Sequence, residues 1–450
     1  MKTRLLIVLT LIGMITVSCS KDYFDEDRYE ELITVAFPVS DVDSTHNWNS
    51  TVECTANIGV DIAEGKTYTV KVYENNPMSG YTGYVLVQGQ VENGNSLVSN
   101  FSHPQVENTF YVAVVDESGT TYSQSVTVEK GMLSAKITAN SLAAMSGTQN
   151  KVHDMGFDMK YCFEDSYPQS GDYDFNDVVI DSKMTKNIGK VQTTITFYLT
   201  LEAVGSTKMM AAALHVAGLG AADVESVTCE GDLFNYYMYG LGSAEGKDKK
   251  PMFPIEQPVD GYLQSALQTG IYIPLTNDVH YAMNNGTTTT GGMVERMNYN
   301  TMLPSQMADV SAGGQNANML MGRDITPVKG TVTITLKPGV GDKNITVKNI
   351  DMFIMEEYNG AIWEVHTFIY KTKPVVFAQG IYEENIYPWA VAVPGSKFRW
   401  PAEGIYLGAY KNAGMFGGAY QKLGHSFGEW AKDKNDAKDW YLYPTSNVVY

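Results

Sequence analysis

The chain has 450 residues, of which 44% are hydrophobic and 18% charged, and its formal net charge is -18. This length allows two or three domains with real cores, and the acidic balance argues against a nucleic-acid partner, since phosphates would be repelled. Tyr (29) and Gly (41) are frequent, a composition that favours strands joined by turns over helical bundles.

The first residues predict export. Lys2 and Arg4 precede an apolar run that ends in Ser18-Cys19. A basic start, a short apolar run and a small residue are typical of a secretory signal peptide, here residues 1–19. The apolar run of about 13 residues is too short to cross a bilayer as a helix, and no later segment reaches the roughly 18 residues that a span needs.

The end of this run also predicts a lipid anchor. Ser18-Cys19 resembles a bacterial lipoprotein cleavage site, at which the Cys19 thiol is acylated and becomes the new N-terminus. Thr16 stands where such sites usually carry Leu, so ordinary secretion is the alternative. The sequence therefore predicts attachment to a membrane through Cys19.

Residues 20–33 predict an acidic tether. They include Asp22, Asp25, Glu26 and Asp27, and charge runs without apolar periodicity stay solvated. An acidic patch directly after the lipidated Cys resembles the surface-export signal of Bacteroidetes lipoproteins. We therefore predict an outer membrane lipoprotein exposed at the cell surface, with the periplasmic face as the alternative.

The region 34–130 predicts an immunoglobulin-like β-sandwich. Thr67–Tyr73 alternates between inward and outward positions, and turn formers such as Asn75-Asn76-Pro77 separate the segments. About seven strands in about 100 residues are typical of such a sandwich, although the Cys–Trp–Cys pattern of true immunoglobulin domains is missing. The predicted strands are Leu32–Phe37, Ser50–Ile58, Thr67–Tyr73, Tyr84–Val91, Thr109–Val115 and Ser123–Val128.

The rest of the chain predicts a second β unit. Residues 131–154 are mixed and partly polar, which indicates a connector. From 155 to 450 strand follows strand without intervening helices, so we expect a larger antiparallel β-sandwich or jelly roll and an all-β fold class. A short C-terminal helix is predicted where apolar residues recur at helical spacing, namely Tyr420, Leu423, Phe427 and Trp430.

The segment from Glu164 to Asp181 predicts a calcium site. Asp172, Asp174 and Asn176 alternate with aromatic residues, so an extended chain would place their oxygens together on one side. The segment contains no Lys or Arg, and clustered carboxylates raise one another's pKa unless a cation lies among them. Calcium binds about six to eight oxygens in flexible geometry and would satisfy the cluster.

An EF-hand and a loop without metal are the two other interpretations of this segment. An EF-hand is excluded, because Asp177 stands where the loop needs Gly and Lys183 stands where it needs Glu. A solvated acidic loop, or a set of Asx hydrogen bonds that cap turns, remains open as the alternative.

Other motifs indicate little chemistry. Gly424-His425-Ser426-Phe427-Gly428 matches the pattern of a hydrolase nucleophile elbow, but no strand precedes it and no His follows it. The cysteines form no C-x-x-C pair, which excludes a zinc knuckle. Whether Cys162 and Cys229 form a disulfide stays open at this stage.

A family resemblance starts in the acidic segment. Phe163-Glu164-Asp165, Pro168 and the run from Gly171 to Asp181 look like the opening signature of the LruC-type domain of bacterial surface lipoproteins. The resemblance covers about residues 150 to 445. Its later motifs have similar segments in the same order: Asn298-Tyr299-Asn300-Thr301, Trp363-Glu364-Val365-His366, the run from Tyr387 to Pro394, the run from Phe398 to Gly404, and Asp439-Trp440-Tyr441.

The resemblance implies a metal role for particular residues but no activity, since none is established for the family. The acidic motif is similar to ones proposed to bind calcium. Glu364, which shares a strand face with His366, would complete the coordination sphere from a distant strand. The other implied ligands are Glu164, Asp165, Asp172, Asp174, Asn176 and Asp177.

Three functions compete at this point. The lipid anchor, the tandem β units and the aromatic composition favour a non-catalytic binding or adhesion module for a surface glycan or a protein partner. Trp389, Trp400 and Trp440 could stack on sugars, with core packing as the alternative for them. A structural or assembly component of a surface layer or appendage is the second function, and a secreted hydrolase acting on glycans is the third.

Overall fold

The computed structural model describes most of the chain. The described residues are 47–80, 82–148, 152–165, 167, 174–236, 259–260, 270–287, 289, 294–358, 361–367, 389–395, 397–405, 410, 425–445 and 447–450. Cys19, the tether 20–33, Asp172 and the predicted strand Leu32–Phe37 lie outside them. None of the helices within them is long and apolar enough to span a membrane.

The fold is all-β, as predicted. The first eight strands are β1 (Thr51–Asp61), β2 (Thr67–Tyr73), β3 (Thr82–Glu92), β4 (Ser96–Pro104), β5 (Thr109–Val115), β6 (Thr121–Thr127), β7 (Met132–Thr138) and β8 (Ser146–Thr148). The later strands are β9 (His153–Phe163), β10 (Val178–Ile188), β11 (Thr193–Ala203), β12 (Met210–Ala217), β13 (Val224–Glu230), β14 (Val259–Asp260), β15 (Gly270–Thr276), β16 (Asn298–Tyr299), β17 (Gly322–Arg323), β18 (Val328–Leu336), β19 (Ile350–Tyr358), β20 (Ala361–His366) and β21 (Ala390–Pro394).

The described helices are short and lie between strands or near the C-terminus. The last of them begins at Phe427, which agrees with the predicted C-terminal helix, although Tyr420 and Leu423 lie outside the described residues. The α-helices are α1 (Ala139–Ala144), α2 (Val279–Met283), α3 (Pro304–Ala312) and α4 (Phe427–Lys432).

The N-terminal strands form two layers. One sheet has the order β4-β1-β7, and β2, β3, β5 and β6 lie in the other. Alternate residues of β1, among them Ala56 and Ile58, are fully buried, as are Val70 and Val72 of β2. Burial of each large apolar side chain contributes about 1.5–3 kcal/mol to stability, and this contribution holds such layers together. The predicted β-sandwich is therefore present in this region.

The predicted connector 131–154 carries secondary structure. It holds β7, α1 and β8, and β9 begins within it. β7 pairs in parallel with β1 and buries Leu133 and Ile137 completely. Ser134 and Lys136 face outward between the buried residues, so this strand does carry the alternation of a half-buried strand, and residues 131–154 are not a simple connector.

One sheet runs through both halves of the molecule. Thr82 to Val85 of β3 pair in parallel with His153 to Gly156 of β9. Through this pairing the order β13-β18-β11-β10-β9 continues into β3-β2-β5-β6-β8. The parallel pairings of β1 with β7 and of β3 with β9 involve N-terminal strands, whereas the antiparallel arrangement was expected for residues 155–450.

The C-terminal half is a second sandwich. Its other layer has the order β14-β15-β12-β19-β20. Leu214 of β12 and Ile354 of β19 pack into the same buried cluster as Phe197 of β11 and Val332 of β18. This layered core also contains residues of β9 and β10, the two strands on either side of the acidic segment.

The described cysteines are free thiols. Cys54 and Cys162 are buried, whereas Cys229 lies on the exposed edge strand β13. Burial raises the pKa of the Cys162 thiol to about 12, so this group behaves as a small apolar side chain. The structure therefore places no disulfide between Cys162 and Cys229.

Candidate functional site: the acidic segment

The acidic segment lies between β9 and β10 in the chain, and most of its described acidic and amide side chains are buried. Glu164 and Asn176 are 0% exposed, Asp174 is 1% exposed and Asp177 is 7% exposed. A solvated acidic loop is therefore excluded for these residues. Buried carboxylates must be met by hydrogen-bond donors or cations, because an isolated buried charge is very costly.

Some of these carboxylates accept hydrogen bonds from backbone N–H groups of the same segment. The Phe175 backbone N–H donates to Glu164, and the Asp165 N–H donates to Asp177 Oδ2 at 2.7 Å. The Asn176 N–H donates to Asp174 Oδ1 at 3.2 Å, which is an Asx turn. The turn-capping interpretation thus applies to Asp174.

The described residues before β10 do not form an extended strand. Phe175 has a φ of 53°, a left-handed conformation that is uncommon for an aromatic residue. Its ring is buried and lies 6.4 Å from the ring of Phe427 in α4. The aromatic side chain does face the core, as the alternation predicted, but a tight turn rather than a strand places it there.

Segments distant in sequence meet the acidic connection. The Gly404 N–H donates to Asp174 Oδ2 at 2.7 Å, and Asn176 Nδ2 donates to the Pro401 carbonyl at 3.2 Å. The Glu164 N–H donates to the Trp389 carbonyl at 2.9 Å. These partners belong to the C-terminal segments that resemble LruC-type motifs, so several of those motifs meet at one place.

The segment around Asn300 joins the same assembly. Trp400 Nε1 donates to the Asn300 carbonyl at 2.9 Å, and Thr301 Oγ1 donates to Glu403 Oε2 at 3.1 Å. Asn300 itself has a φ of 59° and holds Ile325 through hydrogen bonds in both directions. The motifs therefore stabilise one another's backbones.

The tryptophans proposed for sugar stacking lie in the core. Trp389, Trp400 and Trp440 are 4%, 8% and 2% exposed. Trp440 packs edge-on against Phe427 with ring centroids 4.9 Å apart, and Trp389 packs edge-on against Tyr167 at 5.3 Å. Edge-to-face contacts of this kind are typical of packed aromatic cores. These rings are not available to a ligand.

A lysine from outside the segment supplies positive charge. Lys208 Nζ lies 3.3 Å from Asp165 Oδ1 and 3.8 Å from Glu356 Oε2. Burial acts against the ammonium, but Asp165 and Glu356 outweigh it, and the pKa of Lys208 is raised. The Ser206 hydroxyl also donates to Asp165. Lys208 lies outside the acidic segment in the sequence, so the spacing of the segment's own residues did not indicate it.

A second buried network adjoins Ser206. Arg296 makes a two-pronged pair with Asp278, at 2.9 and 2.7 Å, and also donates to His280 Nδ1 at 2.9 Å. His280 must therefore be protonated on Nε2, which lies 3.1 Å from the Ser206 carbonyl. Burial and the neighbouring Arg296 lower the pKa of His280 well below its usual value. The histidine is neutral and holds the 205–208 turn in place.

A small cradle lies between Asn176, Asp177 and Gly205. Asn176 Oδ1 is buried and receives no hydrogen bond. A Cβ added to Gly205 would lie 2.7 Å from Asn176 Oδ1 and 3.2 Å from Asp177 Oδ1. Two side-chain oxygens thus approach this position so closely that only a glycine fits beside them, and oxygen ligands of this type suit calcium.

The described residues do not complete a coordination sphere. Among them, no three His, Cys, Asp or Glu side chains are grouped as metal ligands. Asp172, one of the predicted ligands, lies outside the described residues. Asp165 is paired with Lys208, and an ammonium at this distance competes with a bound cation. Of the calcium ligands predicted from the sequence, Asn176 and Asp177 place side-chain oxygens at the cradle, and Glu164 and Asp174 lie beside them.

Glu364 belongs to a different cluster. Its Oε2 lies 3.1 Å from His366 Nε2, and His366 Nδ1 lies 2.8 Å from Asp351 Oδ2. Glu364 pairs with Met355 across the strands, so it lies on the face of the sheet opposite to the adjacent Glu356, which contacts Lys208. The register therefore separates Glu364 from the side of the sheet that meets Asp165.

The carboxylates of this second cluster favour the protonated form of His366. Burial acts against the imidazolium, but the carboxylates of Asp351 and Glu364 outweigh it and raise the pKa of His366 to about 9. His215 lies 3.6 Å from the same Asp351 carboxylate. The sequence placed Glu364 and His366 on one strand face correctly, but their shared partner Asp351 could be found only from the pairing of β19 with β20.

The fold and site define a class of protein, an all-β protein of two joined sandwiches with a buried acidic connection. Neither family models nor curated proteins match the chain. Among solved structures it is similar to a Bacteroides ovatus protein provisionally assigned as a lipoprotein, with 14% identity, a TM-score of 0.46 and coverage of 85% of this chain and 98% of that one. It is also similar to the full-length major pilin SpaD of Corynebacterium diphtheriae, with 9% identity, a TM-score of 0.15 and coverage of 70% and 65%. Likenesses this weak carry no conclusion about activity or partners.

Proposed function

We propose that the protein is a non-catalytic binding module of the bacterial cell envelope, anchored through a lipid on Cys19, whose acidic segment is held in shape by calcium. The cradle beside Gly205 carries the calcium proposal, because a buried oxygen without a donor is costly unless something positive meets it. The LruC-type resemblance adds support of its own, since the segments that carry it meet around this cradle.

The residues divide into distinct roles in this proposal. Asn176 and Asp177 offer side-chain oxygens to the ion, with Asp172 as a further ligand. Glu164 and Asp174 hold the turn through backbone N–H groups, and their negative charge favours a cation nearby. Calcium would neutralise this charge and fix the connection between β9 and β10.

Thermal unfolding of the mature chain without Cys19 tests the metal. We expect a higher Tm in excess calcium than in excess chelator, since a ligand at 100 times its Kd adds about 2.7 kcal/mol. Asp177→Asn should abolish the shift while keeping an oxygen for the Asp165 N–H. Asp116→Asn, in a turn carboxylate of the N-terminal sandwich, is the matched control and should keep it. An unchanged Tm in all three proteins would sink the calcium proposal.

The anchor and the location are tested in cells. Labelling with a fatty-acid analogue should mark the wild-type chain and not Cys19→Ala, and protease added to whole cells should remove a surface-exposed protein. Protection in whole cells but not in lysed cells would place the protein on the periplasmic face. Large regular oligomers in light scattering would favour the assembly role over the binding module.

A further inference from the structure

The outer face of the C-terminal sandwich carries an ordered patch of uncharged polar side chains. Thr185 of β10, Thr196 of β11, Thr333 of β18 and Thr228 of β13 are direct neighbours across four strands. The next row, two residues along each strand, has the same character. We call these two rows the hydroxyl patch; its members are Thr185, Asn187, Thr194, Thr196, Ser226, Thr228, Thr333 and Thr335.

The hydroxyl patch is accessible and regular. Every member is exposed or half-buried, while the residues between them, such as Ile195 and Ile334, are buried. Neighbouring strands lie about 4.7–4.9 Å apart, and residues two apart on one strand lie about 6.6–6.8 Å apart. The Thr196 and Thr333 hydroxyl oxygens are 3.5 Å apart. The seven hydroxyls and the Asn187 amide therefore form a regular grid of groups that donate and accept.

An aromatic ring stands beside the grid. Tyr198 is 49% exposed and lies in the adjacent row, opposite Lys183 on β10 and Thr331 on β18. It is a large, rigid side chain with an apolar face and a polar tip, the type of group that contacts ligands at low entropic cost. In contrast to the buried tryptophans, this ring can be reached from solvent.

The charge on this face is balanced. No member of the hydroxyl patch is ionisable, although the whole chain has a net charge of -18. In the rows beside it, Asp181 pairs with Lys160 and Lys183 at 2.9 Å, and Lys183 also lies 3.6 Å from Asp158. The exposed Glu230 of β13 and Lys329 of β18 add one charge of each sign. A polyanion gains nothing from such a face, and neither does a polycation.

The preference of Thr for strands explains only part of this pattern. It accounts for β-branched residues on a half-exposed sheet. It does not account for the uncharged patch members on β13, because edge strands commonly carry charged residues such as Lys, nor for the exposed Tyr beside the two rows. An uncharged grid of hydroxyls with one aromatic platform matches the chemistry of a neutral sugar chain.

We propose that the hydroxyl patch and Tyr198 form the docking surface for a neutral polysaccharide. The sugar hydroxyls exchange hydrogen bonds with the Thr rows, and one sugar ring stacks on Tyr198. The inference rests on the proposed function in taking the protein to be a binding module, but it involves neither the acidic segment nor calcium. It assigns the binding role to a face far in sequence from the buried tryptophans.

Affinity electrophoresis of the mature chain through gels that contain β-glucan, mannan or xylan tests the proposal, with anionic alginate as the comparison. We expect retardation by at least one neutral polymer and none by alginate. Tyr198→Ala, and the double variant Thr196→Lys with Thr333→Lys, should weaken binding about tenfold or more, which corresponds to roughly 1.4 kcal/mol. Thr196→Ser keeps the hydroxyl and should bind normally, as should Thr69→Lys on the outer face of β2.

The binding results are interpreted only for variants whose Tm matches that of the wild type, since such variants are folded. Absence of retardation by all neutral polymers, equal retardation of the variants, or equal binding to alginate would overturn the docking surface. Inhibition of ice recrystallisation without polysaccharide binding would assign the grid to ordered water and overturn it as well. A calcium-dependent Tm without polysaccharide binding would refute only this inference, and binding without a calcium effect would refute only the calcium proposal.

Discussion

Glu74, which directly follows β2, shows how burial sets the chemistry of a single residue. Burial, with the nearby carboxylates of Glu107 and Asp158, raises the pKa of Glu74 to about 7, while Lys397 opposes the shift. The folded state thus keeps the Glu74 proton up to about pH 7, whereas the unfolded chain loses it near its ordinary value of 4.5. Unfolding then releases a proton between these pH values, and stability falls as the pH rises through this window.

Replacing Glu74 by Gln should remove this penalty. Glu74→Gln is expected to raise the free energy of unfolding at pH 8 by about 2–3 kcal/mol and to change it little at pH 4.5. Urea unfolding at both pH values measures the difference. Glu117→Gln, at an exposed carboxylate that pairs with Lys66, is the control and should shift stability by no more than about 0.5 kcal/mol. An effect of Glu74→Gln that is the same at both pH values would contradict the raised pKa.

At the level of single elements, α4 shows what the serine of the G-x-S-x-G pattern does in the fold. Ser426, the serine of the G-x-S-x-G pattern, is the N-cap of α4. Its hydroxyl donates to Glu429 Oε2 at 2.9 Å, and the Glu429 N–H donates back to its Oγ at 3.1 Å. This is a capping box, in which the serine and glutamate satisfy the first turn of the helix. Its hydroxyl therefore caps the first turn of α4.

Ser426→Ala should therefore destabilise the protein and leave its chemistry unchanged. Loss of an N-cap costs about 1 kcal/mol, whereas Ser426→Thr keeps the oxygen and should cost less. Denaturant unfolding of the two variants checks this order. Esterase turnover by the wild type that disappears in Ser426→Ala but persists in Ser426→Thr would favour a nucleophile instead.

Strand prediction succeeded where a strand carries its own alternation. The expected limits of β2 and β5 agree with the structure because Val and Tyr alternate with polar residues in β2, and β5 is a short run of β-branched and aromatic residues between turn formers. β4 was missed, because Ser, Asn and His occupy many of its positions, and several of these polar residues are buried. Ser102 and His103 are buried by the pairing of β4 with β1. A strand whose buried residues are polar gives no periodic signal.

For the whole molecule, a buried ion pair joins the two sandwiches. Lys186 of β10 is 2% exposed, and its Nζ lies 2.7 Å from Asp342 Oδ2. The same ammonium donates to the Asn100 carbonyl at 2.8 Å, and the Ser99 hydroxyl donates to Asp342 at 2.6 Å. Ser99 and Asn100 belong to β4, so this cluster ties the N-terminal sheet to the C-terminal sandwich.

Removal of one partner from this cluster should be costly. Lys186→Ala leaves the Asp342 carboxylate without its ammonium, and broken buried pairs typically cost about 3–5 kcal/mol. Lys66→Ala, which removes an exposed pair with Glu117, is the matched control and should cost no more than about 1 kcal/mol. Thermal unfolding followed by near-ultraviolet circular dichroism compares them. Equal losses in the two variants would show that the cluster does not couple the sandwiches.

The sequence by itself determined the all-β class, the sandwich character of both halves and the concentration of acidic and amide side chains in the acidic segment. Alternation, turn residues and charge spacing are local properties, and they are therefore visible in a linear chain. The tertiary structure alone decided that β3 and β9 share a sheet, that Lys208 reaches Asp165, and that Glu364 faces His366. These contacts join residues far apart in the chain, and strand pairing and burial bring them together through packing free energy that no local pattern encodes.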